Sequence, residues 1–495
     1  MAGTGLVHPL SPARGADPSP PSVRLLGAVD HVTLHARTGK VPLELGVWVA
    51  ASGGDFELRV ARPNYDSPAG ITQVDARTGR ELRSLSPELL KGWAGLRRFL
   101  RVTFRDKTGT VVVNRHFAFC PNKWDRQRVS DQGPAASRYP SLCASSAPFT
   151  KGMVWGIDEH WASIALGDDY RTPSVRVADG AYSVTVRIAD PYAEMLSISE
   201  ESRKTTVDVT VKSSPHRRAP TVVTGAKGTR AARQEGVPTV TDPDPSTLPD
   251  LVAGPAWNIG VSSKRGRDLL FFAATPWNSG PAPLVVEGFR RAGEDVMDAY
   301  QYFHNAQGEM VGRAPVGDFR YDGRRKHHHW HFLQFADYAL LDASRRVLST
   351  PAHRSGRPGS KEEGTGNSSR EEIVRSTKQA FCIVPTDAID LTVAGANWTP
   401  WALERFSICG SPTSLWVRQV LEAGWGDTYF QFVPGQSFDI TDLPNGRYHI
   451  RVRVNGPGAL YERSKWNNSE LRLVRLRGRP GHRRVGVAPW HGIDG

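Results

Sequence analysis

The segment Lys326-His327-His328-His329-Trp330-His331-Phe332 sets imidazoles at positions 327, 329 and 331, with His328 to spare. In an extended strand alternate residues share a face, so His327, His329 and His331 would point one way. Neutral imidazoles suit copper, zinc, iron or nickel. The spacing imposes a condition. On a flat strand the outer two side chains start about 13 Å apart, whereas metal–nitrogen bonds span only about 2.0–2.1 Å. One ion can hold all three only where the strand bends or bulges. The cluster therefore predicts a distorted strand as well as a metal, or else two ligands in place of three.

A strand of this kind needs a β-rich frame, and the chain reads as one. Its 495 residues suggest several domains, and 48 Gly, 36 Pro and 14 Trp fit short strands broken by many turns. β-type runs fall at 41–49, 56–61, 99–104 and 109–119, then at 174–177, 182–188 and 205–211. Only 87–96 has a helical look. The fold class expected is mainly β. Residues 1–21 form a disordered Pro/Ser/Ala-rich leader, and 22–143 and 144–212 form tandem Ig-like β-sandwich modules. A basic Pro/Thr/Gly-rich linker at 213–248 leads to a denser, aromatic-rich domain at 249–490. Within that domain, 356–372 reads as a polar, flexible insertion. The turn-plus-strand Asp179-Gly180-Ala181-Tyr182 is echoed by Asn445-Gly446-Arg447-Tyr448.

Charge and cysteine usage narrow the class. The net charge is +13. The excess is concentrated in the linker (His216, Arg217, Arg218, Lys227, Arg230, Arg233) and near the C-terminus (Arg472, Arg475, Arg477, Arg479, Arg483, Arg484). Neither cluster interleaves with aromatic side chains, so solvated basic loops or an anionic cell-surface polymer as partner are expected, and no specific nucleic acid. Cys120, Cys143, Cys382 and Cys409 fall as two local pairs without metal spacing, so Cys120–Cys143 and Cys382–Cys409 bridges in an oxidising compartment are expected. There is no apolar run long enough for a membrane span. No signal peptide is visible at the start, although the cysteines point to a secreted or cell-surface protein.

Several segments of the C-terminal half then fall into a pattern. The histidine strand is followed by Phe335-Ala336-Asp337-Tyr338, by Lys378-Gln379-Ala380-Phe381-Cys382, by Gly424-Trp425-Gly426-Asp427-Thr428-Tyr429, and by Asp439-Ile440-Thr441-Asp442-Leu443-Pro444-Asn445-Gly446-Arg447-Tyr448. In that order they resemble the lysyl oxidase family over roughly 249–478. The resemblance implies a secreted β-sandwich-type catalytic domain using copper and a quinone made from its own side chains. His327, His329 and His331 would hold the copper. Lys378 and Tyr429 would form lysine tyrosylquinone, an electrophile that takes up a primary amine. The amine leaves as an aldehyde, and O2 is reduced to hydrogen peroxide with release of ammonia. Peptidyl-lysine is the substrate expected first and a small primary amine second. Asp427 is the nearest candidate for the base, with His449 as an alternative.

The segments between His331 and Lys378 and between Lys378 and Tyr429 are longer than in animal members, and the dense cysteine pattern of those enzymes is missing. Such differences look like a bacterial branch. Other readings of single motifs compete. Taken alone, Lys378 is a solvated strand-edge lysine, Tyr429 a core tyrosine and Asp427 a turn or structural carboxylate. Asn64-Tyr65-Asp66 matches the core of a topaquinone site, although a Pro63-led turn explains it better. A zinc hydrolase would need a positioned carboxylate, and no HExxH is present. A noncatalytic metal-binding extracellular β protein is the main alternative. Asn367, Asn397 and Asn467 stand in sequons that matter only in a glycosylating cell.

Overall fold

The computed structural model describes residues 20–36, 39–123, 125–130, 132–134, 136–167, 172–213, 237–264, 266–290, 296–322, 329–351, 371–373, 381–400, 409, 414, 416–433 and 435–494. Residues 1–19 of the leader, the basic part of the linker and the 356–372 insertion lie outside them, except for 371 and 372, which fall in the strand Glu371–Ile373. The protein is mainly β. Among the described residues the one α-helix is Asp190–Met195. None of the helices is long and apolar enough to cross a membrane.

The expected boundary at 143/144 has no counterpart in the sheets. Gly152–Ile157 pairs with Phe56–Ala61, and Trp161–Leu166 pairs with Val47–Ser52. Gly180–Ile188 lies between Leu96–Arg105 and Lys204–Ser213 in a five-stranded sheet. That sheet is closed on one side by a parallel pairing of Lys204–Ser213 with His31–Ala36. Residues 144–212 thus supply strands to the sheets of 22–143 and do not build a second module. Alternating polarity marks a strand and its inward face, but it carries no label for the partner. Gly152–Ile157 shows why the interleaving is needed: all six residues are buried. A run covered on both faces must sit inside a layered body. Gly156 is required there because a Cβ would enter the ring of Tyr139.

The helix expected at 87–96 is two short 3-10 turns, Pro87–Leu89 and Gly92–Ala94, before the strand Leu96–Arg105. Ser86 Oγ caps the first turn by accepting from Glu88 N–H. Gly92 and Gly95 take φ of 51° and 118°, which no α-helix accommodates.

In the C-terminal half a five-stranded antiparallel sheet runs in the order His329–Phe332, Met310–Asp322, Val296–His304, Leu284–Arg290, Trp416–Leu421. A second sheet orders Ala336–Leu341, Gly446–Val454, Ser469–Arg477 and Arg484–Val487. The end of the expected linker is not free: Thr239 bridges Arg313 in parallel, and Val240 N–H donates to the Arg313 carbonyl.

The two halves share one apolar core. Lys151 and Gly152 N–H donate to the Ile389 carbonyl, and Leu391 N–H donates to that of Gly152. Phe149 packs edge-on against Trp257 and Trp490, Tyr139 stacks on Trp398, and His491 Nδ1 lies 2.7 Å from Asp66 Oδ2. Both expected disulfides, Cys120–Cys143 and Cys382–Cys409, are formed, as suits an oxidising compartment.

Candidate metal and phenol sites

The strand His329–Phe332 alternates sharply. Trp330 and Phe332 are wholly buried on the core face, and His329 and His331 occupy the other. The two imidazoles meet edge to face, and their Nε2 atoms lie 2.8 Å apart. Two nitrogens bound to one ion at about 2.0–2.1 Å lie about 2.8–3.0 Å apart at right angles and about 3.3 Å apart in a tetrahedron. At 2.8 Å the two nitrogens are at hydrogen-bond distance, one ring donating to the other, and the same separation lies within the reach of a single ion. Asp322 faces His329 across the ladder, and its Oδ2 lies 3.6 Å from His331 Nδ1. At that distance the carboxylate is an ion-pair neighbour of the ring when His331 is protonated, and not a hydrogen-bond partner. His331 is 2% exposed, so its Nε2 is shielded from bulk water.

The distortion expected of this strand is not found in these four residues. The ladder from Phe319↔Phe332 to Asp322↔His329 has no register shift, and the rings converge through side-chain rotation. His327 and His328 lie outside the described residues. Among the described residues no three His, Cys, Asp or Glu side chains gather around one point.

Tyr429 belongs to a different layer of the same domain. Its backbone bridges Ala274, its ring meets Phe381 edge-on at 4.8 Å, and its hydroxyl donates to the Cys382 carbonyl at 2.9 Å. Burial, and then the charge and hydrogen bond of the neighbouring Asp427 carboxylate, push the phenol's pKa well above its ordinary value. Burial pushes the phenol of Tyr338 up as well, and Asp427 adds to it. Asp427 is 1% exposed, with its N–H held by the Pro276 carbonyl, so it is a buried partner of the phenol and not a surface turn carboxylate. Between them Thr428 is pinned, its N–H donating to Thr386 Oγ1 and its hydroxyl 2.9 Å from that of Thr275. Gly424 opens this segment with φ of 82°, and a Cβ there would meet the Asp390 carbonyl.

One short segment joins the two sites. Phe332 and Phe381 exchange both backbone hydrogen bonds, and Trp330 N–H donates to the carbonyl of Cys409, the disulfide partner of Cys382. Gln419 ties the same pieces together, donating to the Trp330 carbonyl and accepting from Ile383 N–H. Phe381, paired with Phe332, shares its core face, and Tyr429 packs there. One strand spacing, a carbonyl and a hydrogen bond therefore separate the His331 backbone from the phenol oxygen, roughly 10 Å in all. The structure brings His329 to His331 and Asp427 to Tyr429. The imidazoles and the phenol lie on opposite faces of the His329–Phe332 strand. Lys378 lies outside the described residues.

The alternative site residues are placed elsewhere. His449 is on Gly446–Val454 with Nδ1 3.3 Å from the Asp342 carbonyl. Asn64 Oδ1 accepts from the N–H groups of Asp66 and Ser67, the turn expected of that sequence, and Tyr65 packs on Phe149 and Trp490. Asp322 and Gln419 were not singled out from sequence. The Asp322-Gly323 pair, a common hairpin signal, could have revealed the first; nothing local marks the second.

No family model matches the chain, and no curated protein matches it.

Proposed function

We propose that the chain is a copper-dependent amine oxidase of lysyl oxidase type, acting on primary amines and foremost on peptidyl-lysine ε-amines. The observation that carries this reading is the 2.8 Å approach of His329 and His331 Nε2 in front of Asp322. The buried Asp427–Tyr429 pair one strand away supports it. With copper and the quinone derived from Lys378 and Tyr429 in place, the reaction would be RCH2NH2 + O2 + H2O → RCHO + NH3 + H2O2.

The chain's own groups have definable tasks. In this reading His329 and His331 would offer two imidazole nitrogens to the metal, with the Asp322 carboxylate beside the second ring. His327 is the third ligand in this proposal. Asp427 is placed to hold or accept a proton at the phenol oxygen of Tyr429. Phe381 packs edge-on against the ring, and Tyr338 packs on Phe381 behind it. Lys378, the other partner of the proposed quinone, is four residues before Cys382 in sequence, whose carbonyl receives the phenol. Because the phenol is held neutral and on the core face, cofactor assembly requires it to leave the Cys382 carbonyl.

The test is to load the purified protein with copper in air, label with phenylhydrazine and map peptides for a Lys378–Tyr429 cross-link. Peroxide release from benzylamine and from a lysine peptide is followed in parallel. Tyr429→Phe should abolish turnover and label while retaining copper. An unmodified peptide map with stoichiometric copper and no peroxide from any amine rules the oxidase out. The placement of Tyr429 on the core face favours one second reading, a metal-binding β protein without catalysis, and that same result would establish it.

A further inference from the structure

The arginines near the C-terminus separate into two groups once folded. Arg472 is buried and donates to the Ile493 carbonyl. Arg483 is spent on the carbonyls of Thr441, Leu443 and Gly478 and on Asn445 Oδ1. The others are exposed. Arg475 and Arg477, two apart on Ser469–Arg477, share the outer face of the sheet, and Arg484 stands opposite Arg477 on the next strand. On the other side Arg447 stands opposite Arg475. Arg479 and His482 cap the hairpin. Among the described residues, none of Arg447, Arg475, Arg477, Arg479 and Arg484 has a carboxylate partner.

Like charges directly opposite each other on a ladder are unfavourable, and this sheet carries two such pairs side by side, Arg447 with Arg475 and Arg477 with Arg484. The hairpin holding them is firmly anchored. Arg483 fastens it from below, and Gly481 N–H donates to Asp268, whose carboxylate also accepts from Ser263. The charged groups surround a concavity of about 600 Å3 lined by Arg475, Arg477, Arg479, Arg484 and His482, with Gly478, Val485 and Gly486 as its only other lining. Its lining contains no acidic group to neutralise the guanidiniums, no Phe, Tyr or Trp side chain on which a nucleobase could stack, and one apolar side chain, too little to enter a lipid surface. Across the strands the guanidinium-bearing positions repeat at about 5 Å, and along them at about 7 Å. Each planar fork can grip a tetrahedral oxyanion through two parallel hydrogen bonds.

We propose that this face of the Ser469–Arg477 and Arg484–Val487 hairpin, completed by Arg447, is a docking surface for a linear sulfated polysaccharide. It would hold the protein on an anionic matrix whether or not the oxidase reading is correct, since it uses none of the residues of that site.

The test uses the full chain and heparin as the probe, with dissociation constants measured by calorimetry at several NaCl concentrations. Arg475→Glu, Arg477→Glu and Arg484→Glu are combined in one variant. A control combines Arg98→Glu, Arg101→Glu and Arg115→Glu, exposed residues of the first half, and so carries the same change in net charge. The first variant should bind at least 100-fold more weakly and lose about two to three units from the slope of log K against log salt, while the control stays within threefold of the parent. Should the glutamate variant misfold by near-UV circular dichroism, the corresponding three Arg→Gln changes serve instead, and the same loss of slope is required. Equal losses in both variants would reduce the effect to overall charge and overturn the site. Duplex DNA or vesicles containing phosphatidylserine binding as tightly as heparin would overturn the sulfated-glycan assignment.

Discussion

Asp387 offers the sharpest test of how the two halves are joined. It is 3% exposed, and its Oδ1 accepts from Ser145 Oγ at 2.6 Å, Ser146 Oγ at 2.6 Å, Ser146 N–H at 2.8 Å and Ala147 N–H at 3.1 Å. Its Oδ2 accepts from Thr386 Oγ1. Burial alone would raise its pKa, but hydrogen bonds from Ser145, Ser146, Thr428 and Ala147 outweigh that and hold the carboxyl below its ordinary range. Asp387→Asn keeps the volume and one accepting oxygen but removes the charge from four bonds. A charge-assisted hydrogen bond contributes about twice what a neutral one does, so each loses roughly 0.5–1 kcal/mol, and relief of the carboxylate's desolvation offsets part. The net loss should be about 2–3 kcal/mol, or a fall of about 4–6 °C in melting temperature at about 2 °C per kcal/mol. The pH dependence has a definite sign. A depressed folded-state pKa contributes stability above the unfolded value near 4, and that contribution is lost as pH falls through the folded pKa. Parent and variant should therefore differ by a constant amount from about pH 7 to 5 and converge below about pH 4. Scanning calorimetry across that range reads both effects. A difference under 1 °C at pH 7, or one that persists undiminished at pH 3, would refute the clamp.

Other outcomes follow from the same contacts. A fragment of residues 237–494 uncovers Trp257, Trp490 and Ile389, which Phe149 and Lys151 cover in the whole chain; it should aggregate on size exclusion, and a monomer melting near the parent would contradict the shared core. Gly424→Ala must take φ of 82° and push the Asp390 carbonyl aside, losing about 2–4 kcal/mol in urea titration; an unchanged midpoint would show that the segment yields freely. Replacing Cys382 and Cys409 by Ala opens a loop closed over a separation of 27 residues, a loss of about 3.5 kcal/mol by chain entropy. Because Cys409 and Cys382 receive the Trp330 N–H and the Tyr429 hydroxyl, copper affinity should fall with it, and equal affinity with and without the bridge would detach the disulfide from the site.

Local pattern was readable and pairing was not. The run at 56–61 became a strand with those bounds, and the run at 182–188 ends at Ile188 as expected. The echo between the segments after Gly180 and Gly446 corresponds to two strands of equal length, each entered by a turn. Composition and alternation decide these features residue by residue. The partner of Gly152–Ile157, and the upstream one of the two partners of Gly180–Ile188, lie roughly 80 to 100 residues earlier, and nothing within either segment specifies them. At the candidate site, the shared face of His329 and His331 was legible from period two. The depth at which Tyr429 lies was not, because it is set by Ala274, Phe381 and Cys382 from three separate segments. The linker misjudged at 237–248 fails for a related reason: a segment poor in large apolar residues can still add a backbone bridge to an exposed strand.

The parallel pairing of His31–Ala36 with Lys204–Ser213 has a bearing on biosynthesis. The first of these strands leaves the ribosome well before its neighbour exists, and at about 5–20 residues per second the wait is roughly ten to forty seconds. Throughout that interval an unclaimed ladder edge with Val32 and Leu34 on one side is available to any passing nascent chain. A holding chaperone, or a low concentration of nascent chains, would then limit losses during that interval.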